Sequence, residues 1–266
     1  MRRISSRDNS KIKNFIKLIN NSKYRTREKM FVIEGRKMIR EALECKNILL
    51  RLFIDESLVE DFQEEISLTD EDLDCCLLDK KLMNLLTDTE KTQGIAAVVQ
   101  KPDYSFDSLL QNEELLVLLD RISDPGNLGT IIRTSWAFDV GGVLLTPGCV
   151  DPFSPKVVRS TMGGIFHMPV FENISLEDMG RLKKHGYNFT GTSMNTSQDY
   201  YSEELTGKKI IVIGNEARGI SAEVRNVCQN FVKIPINYRV DSLNAAVACG
   251  IIIAEARKQK KGSSLS

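Results

Sequence analysis

The sequence predicts an α/β protein in which a small N-terminal α/β domain precedes a larger domain built on a mostly parallel sheet. From residue 115 onward, short apolar runs alternate with segments of helical periodicity, as in chains of βαβ units. The run Leu115–Leu119 is continuously apolar, which is typical of a strand covered on both faces. With 266 residues, 42% of them hydrophobic, the chain is long enough for two cores. We expect the domains to span residues 1–105 and 106–266.

The apolar pattern of the first domain predicts helices alternating with short strands. We expect the stretch 11–45 to be helical, with a helix at 11–18, a polar turn at 20–26, an apolar run at 31–33 and a helix at 35–45. A strand is expected at 49–54. Two acidic helical segments and a strand at 94–99 follow. Lys101, Pro102 and Asp103 break the pattern, which indicates a boundary near residues 101–112.

The second domain is predicted to alternate strands with helices from its first residues to its last helix. Strands are expected at residues 115–119, 142–146, 187–190, 209–213 and 231–234. Helices are expected at residues 128–138, 155–163, 176–184, 221–228 and 243–258. Helical crossovers of this kind join parallel strands.

Composition argues against several classes of protein. No apolar run approaches the roughly 20 residues of a membrane span, and no apolar signal segment follows Met1, so we expect a cytoplasmic protein. None of the six cysteines forms a Cys-x-x-Cys pair, and His167 and His185 lack ligand-pair spacing. We therefore expect no metal site and no disulfides.

Charge is distributed unevenly although the net charge is zero. Residues 1–40 hold thirteen Lys or Arg against three Asp or Glu, and residues 41–80 hold three against thirteen. The basic segment suggests a polyanionic partner. Alternatively, the two segments neutralise each other within one small domain.

A first polar segment of the second domain runs from Asp120 to Arg133. Asp124 is suited to cap a helix and Pro125 to occupy its first position. Small residues surround Arg133 on one helix face, which leaves room for a substrate backbone beside its guanidinium. Spacing alone also permits an ordinary surface arginine.

Two further segments carry glycines and polar residues. The strand at 209–213 ends in Gly214 and a turn containing Gly219, at the sheet edge where ligands of parallel sheets bind. Ile220 stands where a phosphate-binding P-loop needs lysine, and no dinucleotide fingerprint occurs. Before the last helix, Asp241 or Ser242 is expected to be the cap, and Asn244 could be only a first-turn residue.

Together these segments resemble the signature motifs of the SpoU (TrmH-like) RNA methyltransferases of the SPOUT superfamily. The matching runs are Asp124-Pro125-x-Asn127-x-Gly129-x-x-x-Arg133, Gly214-Asn215-Glu216-x-x-Gly219 and Ile234-Pro235-x6-Ser242-Leu243-Asn244. The helix 155–163 is also similar, with Thr161 where serine is usual, and Ala217 stands where glycine is common. Residues 31–35 and 92–98 resemble the ends of the family's substrate-binding domain, so the likeness covers nearly the whole chain.

The resemblance implies a fold, a cofactor and an assembly. The second domain would carry a C-terminal trefoil knot, and the first would be a ribosomal-protein-like RNA-binding domain. S-adenosyl-L-methionine would lie in the knot, lined by Gly214, Ile234, Leu243 and Thr192. The active unit would be a homodimer with each site completed across the interface.

The implied reaction is transfer of a methyl group to a ribose 2'-hydroxyl of RNA. Arg133 occupies the family's catalytic position, with Asn127, Glu216 and Asn244 orienting it and the ribose. An arginine keeps its proton near neutral pH, so binding a phosphate and stabilising a developing alkoxide suit it better than acting as a base.

RNA is the implied substrate class because only RNA carries this hydroxyl. Ribosomal RNA, most of all 23S rRNA, is the expected target, with transfer RNA as the alternative. Substrate contacts are expected from Thr161 and from the basic residues Arg2, Arg3, Lys11, Lys13, Lys17, Lys23, Arg25 and Arg27. Two rival hypotheses are a non-catalytic RNA-binding ribosome-assembly protein and a regulator that binds an adenosine nucleotide.

Overall fold

A computed structural model describes residues 1–45, 48–68, 73–87, 92–112 and 115–263. The chain divides into two compact units. The first comprises Met1–Asp103 with Phe153–Phe166, and the second comprises Tyr104–Pro152 with His167–Ser266. The segment Phe153–Phe166 thus belongs with the first unit although it lies far along the chain.

The first unit is a mixed sheet covered by short helices. Its strands are β1 (Arg2–Ile4), β2 (Met30–Glu34), β3 (Leu49–Asp55), β4 (Asp74–Leu78) and β5 (Ile95–Gln100), in the spatial order β1-β4-β3-β5-β2. Its helices are α1 (Ser10–Asn20), α2 (Ser22–Glu28), α3 (Arg36–Glu44), α4 (Gln63–Ser67) and α5 (Lys80–Leu86), with a 3-10 turn at Glu56–Phe62. Phe15, Leu18, Phe53 and Met83 pack in its core, because helix α1 presents its apolar stripe to the sheet.

The second unit is built on a six-stranded parallel sheet, which confirms the predicted α/β class. Its strands are β6 (Leu115–Asp120), β7 (Gly142–Leu145), β8 (Val170–Phe171), β9 (Asn188–Thr192), β10 (Lys209–Gly214) and β11 (Asn230–Val232), in the order β11-β9-β10-β6-β7-β8. Helices α6 (Phe106–Asn112), α7 (Pro125–Ala137), α9 (Leu176–Lys184), α10 (Ala222–Arg225) and α11 (Ala245–Ser263) belong to the same unit, and α8 (Pro155–Thr161) falls in the first. The chain order reverses between β6 and β10, so the carboxyl ends of these strands open a crevice of the kind that binds ligands.

Several predicted elements were wrong in type or position. Residues 22–28 form helix α2 rather than a turn, because the Asn21 side chain caps it by accepting a hydrogen bond from the Tyr24 N–H. Asp74–Leu78 is a strand within the stretch predicted as acidic helices, because Cys76 and Leu78 are buried beside β3. Strands β1, β2 and β8, all at sheet edges, were not predicted. Residues 31–33 lie in β2 rather than in a helical stretch, because they are buried and pair with β5. Residues 69–72 of the acidic stretch lie outside the described residues.

The last helix begins two residues later than predicted and has a different cap. The Asn244 side chain accepts hydrogen bonds from the backbone N–H groups of Ala246 and Val247 at 2.9 and 3.2 Å. Asn244, rather than Asp241 or Ser242, therefore closes the first turn of α11. At α7 the predictions are confirmed, with Asp124 as cap and Pro125 in the first turn.

The described ranges contain neither a membrane-spanning helix nor a metal-binding cluster. No helix there combines the length and the apolar character of a membrane span. No group of three or more His, Cys, Asp or Glu among those residues is arranged to hold a metal ion.

Candidate active site

A pocket of about 360 Å³ lies at the carboxyl ends of β9, β10 and β11 in the second unit. Its lining residues fall within stretches 192–195, 213–220, 232–236 and 242–252, together with Arg225. Neighbouring parallel strands end at one edge of the sheet, which explains why loops distant in sequence converge here. Its volume falls within the roughly 300–1,000 Å³ range of small-molecule sites.

Close backbone packing shapes the pocket at Gly214. A Cβ on this residue would lie 2.3 Å from both the Gly219 carbonyl carbon and the Ile220 nitrogen. The turn that follows is closed by reciprocal backbone hydrogen bonds between Asn215 and Gly219, at 3.1 and 2.9 Å. Glycine is required at position 214 because the turn folds back directly onto it.

All four residues expected to bind a cofactor line this one pocket: Thr192, Gly214, Ile234 and Leu243. Within the described part of the chain, no hydrogen bond involves a backbone group of Ile234, Ile236 or Leu243. Their N–H and C=O groups are therefore available to a ligand that is recognised through the backbone.

Three of the four residues expected to be catalytic form one hydrogen-bonded chain at the edge of the pocket. The Asn244 amide donates to Asn127 Oδ1 at 2.7 Å, and the Asn127 amide donates to Glu216 Oε1 at 2.9 Å. Asn127 is buried, whereas Glu216 lines the pocket. These two hydrogen bonds join the start of α11, helix α7 and the turn after β10, so they fix the three elements relative to one another.

Glu216 also holds the N-terminal end of α7. Its carboxylate accepts hydrogen bonds from the N–H and hydroxyl of Ser123 and from the N–H of Asp124, at 3.3–3.5 Å. Desolvation alone would raise the pKa of Glu216, but the hydrogen bonds from Asn127 and these backbone groups outweigh it and lower the pKa. The side chain therefore acts here as an ionised acceptor.

Arg133, the fourth expected catalytic residue, is not part of this series of hydrogen bonds. It is exposed on α7 and is absent from the pocket lining. No hydrogen bond or ion pair joins it to another residue within the described ranges. Its guanidinium is therefore available to a phosphate or to another subunit.

Sequence reasoning overlooked Asp120 at the end of β6. This buried carboxylate accepts hydrogen bonds from the Thr146 hydroxyl at 3.1 Å and from the Ser221 N–H at 2.6 Å. It thereby ties the end of β6 to the segments that follow β7 and β10. The sequence did hold a signal for it, which is a carboxylate directly after an apolar strand. A carboxylate buried at the end of such a strand must have hydrogen-bond partners.

The expected phosphate ligands of the first unit differ in accessibility. Arg2, Lys17 and Lys23 are exposed, whereas Arg3, Lys13 and Arg27 are exposed but paired with Glu56, Asp8 and Glu28. Lys11 pairs with the half-buried Asp74. Arg25 was expected to contact RNA, but it is a structural residue, because it is 4% exposed and donates to the carbonyls of Leu18 and Ile19.

The expected substrate contact of Thr161 is also not available, because its hydroxyl forms a hydrogen bond within the protein. The residue is fully buried in α8, and its Oγ1 donates to the Val158 carbonyl at 2.7 Å. This geometry leaves no exposed hydroxyl for a substrate.

Comparisons with known proteins cover both units. The model of the SpoU rRNA Methylase family matches residues 114–254, and that of the MRM3-like substrate binding domain matches residues 9–97. The 23S rRNA (guanosine(2553)-2'-O)-methyltransferase RlmP of Bacillus subtilis is 32% identical over 257 residues, which cover 97% of this chain and 100% of that protein.

Solved structures agree over nearly the whole chain. An AdoMet-bound rRNA methyltransferase from Sinorhizobium meliloti superposes with a TM-score of 0.85 at 30% identity, covering 97% of each chain. The SpoU methyltransferase AviRb from Streptomyces viridochromogenes, in complex with AdoMet, has a TM-score of 0.87 at 28% identity over 95% of this chain and 98% of its own. Family match, full-length relative and shared fold together establish that this chain belongs to the SpoU methylase family.

Proposed function

We propose that this protein transfers a methyl group from S-adenosyl-L-methionine to a ribose 2'-hydroxyl of RNA. The observation that carries the proposal is the hydrogen-bonded chain from Asn244 through Asn127 to Glu216. It connects a ligand-sized pocket with the helix that presents Arg133. Family membership and the AdoMet complexes of structural relatives support the same activity.

The pocket suits this cofactor in size and in the chemistry of its lining. Apolar side chains such as Ile213 and Ile236 lie beside backbone segments with unpaired groups, which fits an adenosine held mainly through the main chain. When bound, S-adenosylmethionine supplies an electrophilic methyl group on a sulfonium centre. Gly214 would allow the closest approach, because it has no side chain to exclude the ligand.

Arg133 would act on the RNA. Its guanidinium offers two parallel donors to a phosphate oxygen pair and would stabilise negative charge on the attacking 2'-oxygen. A protonated arginine cannot accept the proton of the hydroxyl, which would pass to solvent. Asn127 and Asn244 would hold helix α7, which carries Arg133, in register with the pocket wall, which is a positioning contribution.

A homodimer is the proposed active unit. Arg133 is exposed and does not line the pocket of its own chain, so it would serve the pocket of a second copy. We also propose that the C-terminal segment is threaded as a trefoil knot. Close packing at Gly214 and the small residues Ala245, Ala246 and Ala248 at the start of α11 are compatible with such crossing segments.

Ribosomal RNA, and 23S rRNA in particular, is the proposed substrate, with transfer RNA as the alternative. The support is the 23S rRNA methyltransferase activity of the full-length B. subtilis relative and the match to the MRM3-like substrate binding domain. The exposed cations Arg2, Lys17 and Lys23 would meet phosphates, with affinity that falls steeply as salt increases. Such a substrate implies a cytoplasmic site of action.

The test is incubation of the purified protein with radiolabelled S-adenosylmethionine and total RNA, followed by fractionation and digestion to nucleosides. Label is expected in a 2'-O-methylnucleoside from the ribosomal fraction. Label in transfer RNA would shift the substrate and leave the activity intact. No label in any free RNA or in assembled ribosomal subunits, from folded dimeric protein, would contradict the proposal and favour a binding-only role.

A further inference from the structure

The connection between β11 and α11 contains a preformed turn at Asn237–Val240. The Val240 N–H donates to the Asn237 carbonyl at 2.9 Å, and the Asn237 side chain accepts from the Arg239 N–H at 3.0 Å. Asparagine favours such turns because its side chain can replace a backbone acceptor. Tyr238 and Arg239 therefore occupy the two central positions of a shaped turn.

Tyr238 is 86% exposed, more than any other large hydrophobic residue of the described chain. Its hydroxyl accepts a hydrogen bond from Arg239 Nε at 3.0 Å, and the guanidinium carbon lies 5.4 Å from the ring centroid. The pair presents an open aromatic face beside a fixed positive charge.

The turn lies between two parts of the pocket lining. Ile236 precedes Tyr238 by two residues, and Ser242 and Leu243 follow it within five. Two residues of chain span at most about 7 Å, so Tyr238 lies at the rim of the pocket. A ribose positioned for methylation in the pocket would bring its neighbouring nucleotides to this rim.

We propose that Tyr238 and Arg239 form a nucleotide-binding subsite, in which Tyr238 stacks on an unpaired base beside the methylated ribose and Arg239 binds the adjoining phosphate. This inference rests on the proposed function. Proteins that read RNA commonly stack splayed bases on aromatic rings, and stacking tolerates any base because every base has a flat face. The fixed cation beside the ring favours a nucleic acid over an apolar protein surface.

The experiment measures equilibrium binding and methyl transfer with 23S rRNA transcribed in vitro, for the wild type, Tyr238→Ala, Tyr238→Phe and Arg239→Ala. Tyr238→Ala should raise both Kd and KM for RNA about tenfold, since one stacked base contributes a factor of this size. The KM for S-adenosylmethionine and kcat should change less than about twofold, because the pocket itself is untouched. Tyr238→Phe keeps the stacking ring but loses the bond to Arg239, so its RNA affinity should stay far closer to wild type than that of Tyr238→Ala. Arg239→Ala should weaken binding and reduce its salt dependence.

The matched control is Tyr201→Ala, an exposed tyrosine outside the pocket lining, which should leave RNA affinity unchanged. Wild-type Kd and KM in Tyr238→Ala would overturn the inference while leaving the proposed function standing. Dissociation of the Tyr238→Ala dimer in sedimentation would also overturn it, by showing a subunit contact. Tight RNA binding without methyl transfer would contradict the proposed function alone, and the Kd series would still decide the subsite.

Discussion

The side-chain amide of Asn127 is used at both ends, which makes this residue hard to replace. Its oxygen accepts from Asn244 and its nitrogen donates to Glu216. Aspartate would place a second carboxylate against Glu216. Leucine would leave the Asn244 amide without its acceptor and would remove one of the hydrogen bonds to Glu216. At the scale of the single residue, donor and acceptor chemistry therefore dictates asparagine.

Arg133→Ala should abolish most of the activity without loss of stability. Removing one group that stabilises developing charge lowers kcat by about 100-fold or more. An exposed residue that forms no ion pair with the described residues changes stability by less than about 0.5 kcal/mol. Single-turnover methylation and thermal unfolding measure the two effects. Arg133→Lys keeps the charge but not the paired donors, so its activity should be intermediate. Normal turnover in a folded Arg133→Ala protein would refute the assignment.

Asn127→Asp should destabilise the second unit in a pH-dependent manner. Two facing carboxylates raise each other's pKa. The loss of stability therefore grows as pH rises through these raised pKa values and becomes smaller in acid. We expect a loss on the order of 1–3 kcal/mol at neutral pH, read as Tm between about pH 5 and 7. Asn127→Ala is the control, since it removes both hydrogen bonds of the side chain without adding charge. An equal Tm loss for Asn127→Asp at both pH values would contradict the electrostatic explanation.

At the scale of elements, the turn after β10 depends on a glycine and on one side chain. Asn215 Oδ1 accepts from the N–H groups of Ala217 and Arg218 at 3.1 Å, while its amide donates to the Arg121 carbonyl at 2.8 Å. The turn is thus tied to the end of β6 as well as folded onto Gly214. This explains how two loops separated by about ninety residues in sequence form one wall.

Gly214→Ala should impair cofactor binding and folding together. The added methyl group would meet backbone atoms at 2.3 Å, and backbone cannot rotate away as a side chain can. Overpacking of this kind costs on the order of 1–3 kcal/mol, and calorimetry should show at least tenfold weaker S-adenosylmethionine binding.

Gly180→Ala provides the matched control for that substitution. Gly180 lies within α9, and a Cβ there would meet nothing within 4 Å. Alanine in a helix should be neutral or stabilising by up to about 1 kcal/mol. A comparable loss of S-adenosylmethionine affinity in both variants would show that the effect is not specific to the turn.

At the scale of the whole molecule, the basic and acidic segments of the sequence partly neutralise each other inside the first unit. Asp74 lies between Lys11 and Arg51, and the buried Glu65 carboxylate pairs with Arg36 and Arg40. The alternative explanation of the charge pattern is therefore correct for the pairs made by Lys11, Arg36 and Arg40, which join the basic segment to the acidic one. Exposed cations such as Arg2 and Lys23 remain for a polyanion.

Asp74→Asn should destabilise the protein at neutral pH but not in strong acid. Desolvation would raise the pKa of Asp74, but hydrogen bonds from Lys11 and Arg51 lower it from 3.8 to about 2. Since the folded-state pKa is depressed, the carboxylate stabilises the fold above about pH 4 and this contribution is lost as pH falls through about 2. We expect a difference of about 1–2 kcal/mol at neutral pH after solvent screening.

Chemical unfolding at several pH values measures the Asp74 effect. Asp8→Asn is the control, because Asp8 is largely exposed in its pair with Lys13 and should contribute little. A stability difference between wild type and Asp74→Asn that persists below about pH 2 would contradict the charge explanation.

The sequence by itself determined the α/β class, the buried strands of the second unit and the cap of α7 at Asp124. Each of these follows from local periodicity or local capping chemistry, which are visible in a short window of residues. Motif order also identified the family and named Asn127, Glu216 and Asn244 before any contact was visible.

Only the tertiary structure decided which of those residues are in contact and which Lys and Arg side chains already have partners within the protein. The bond between Asn244 and Asn127 joins positions 117 residues apart, and no local pattern encodes such a pairing. Arg25 and Thr161 looked available in sequence, yet both are buried and hydrogen-bonded to carbonyls. Burial and partner choice arise from packing of the entire chain, so the accessibility of a polar side chain is a property of the fold.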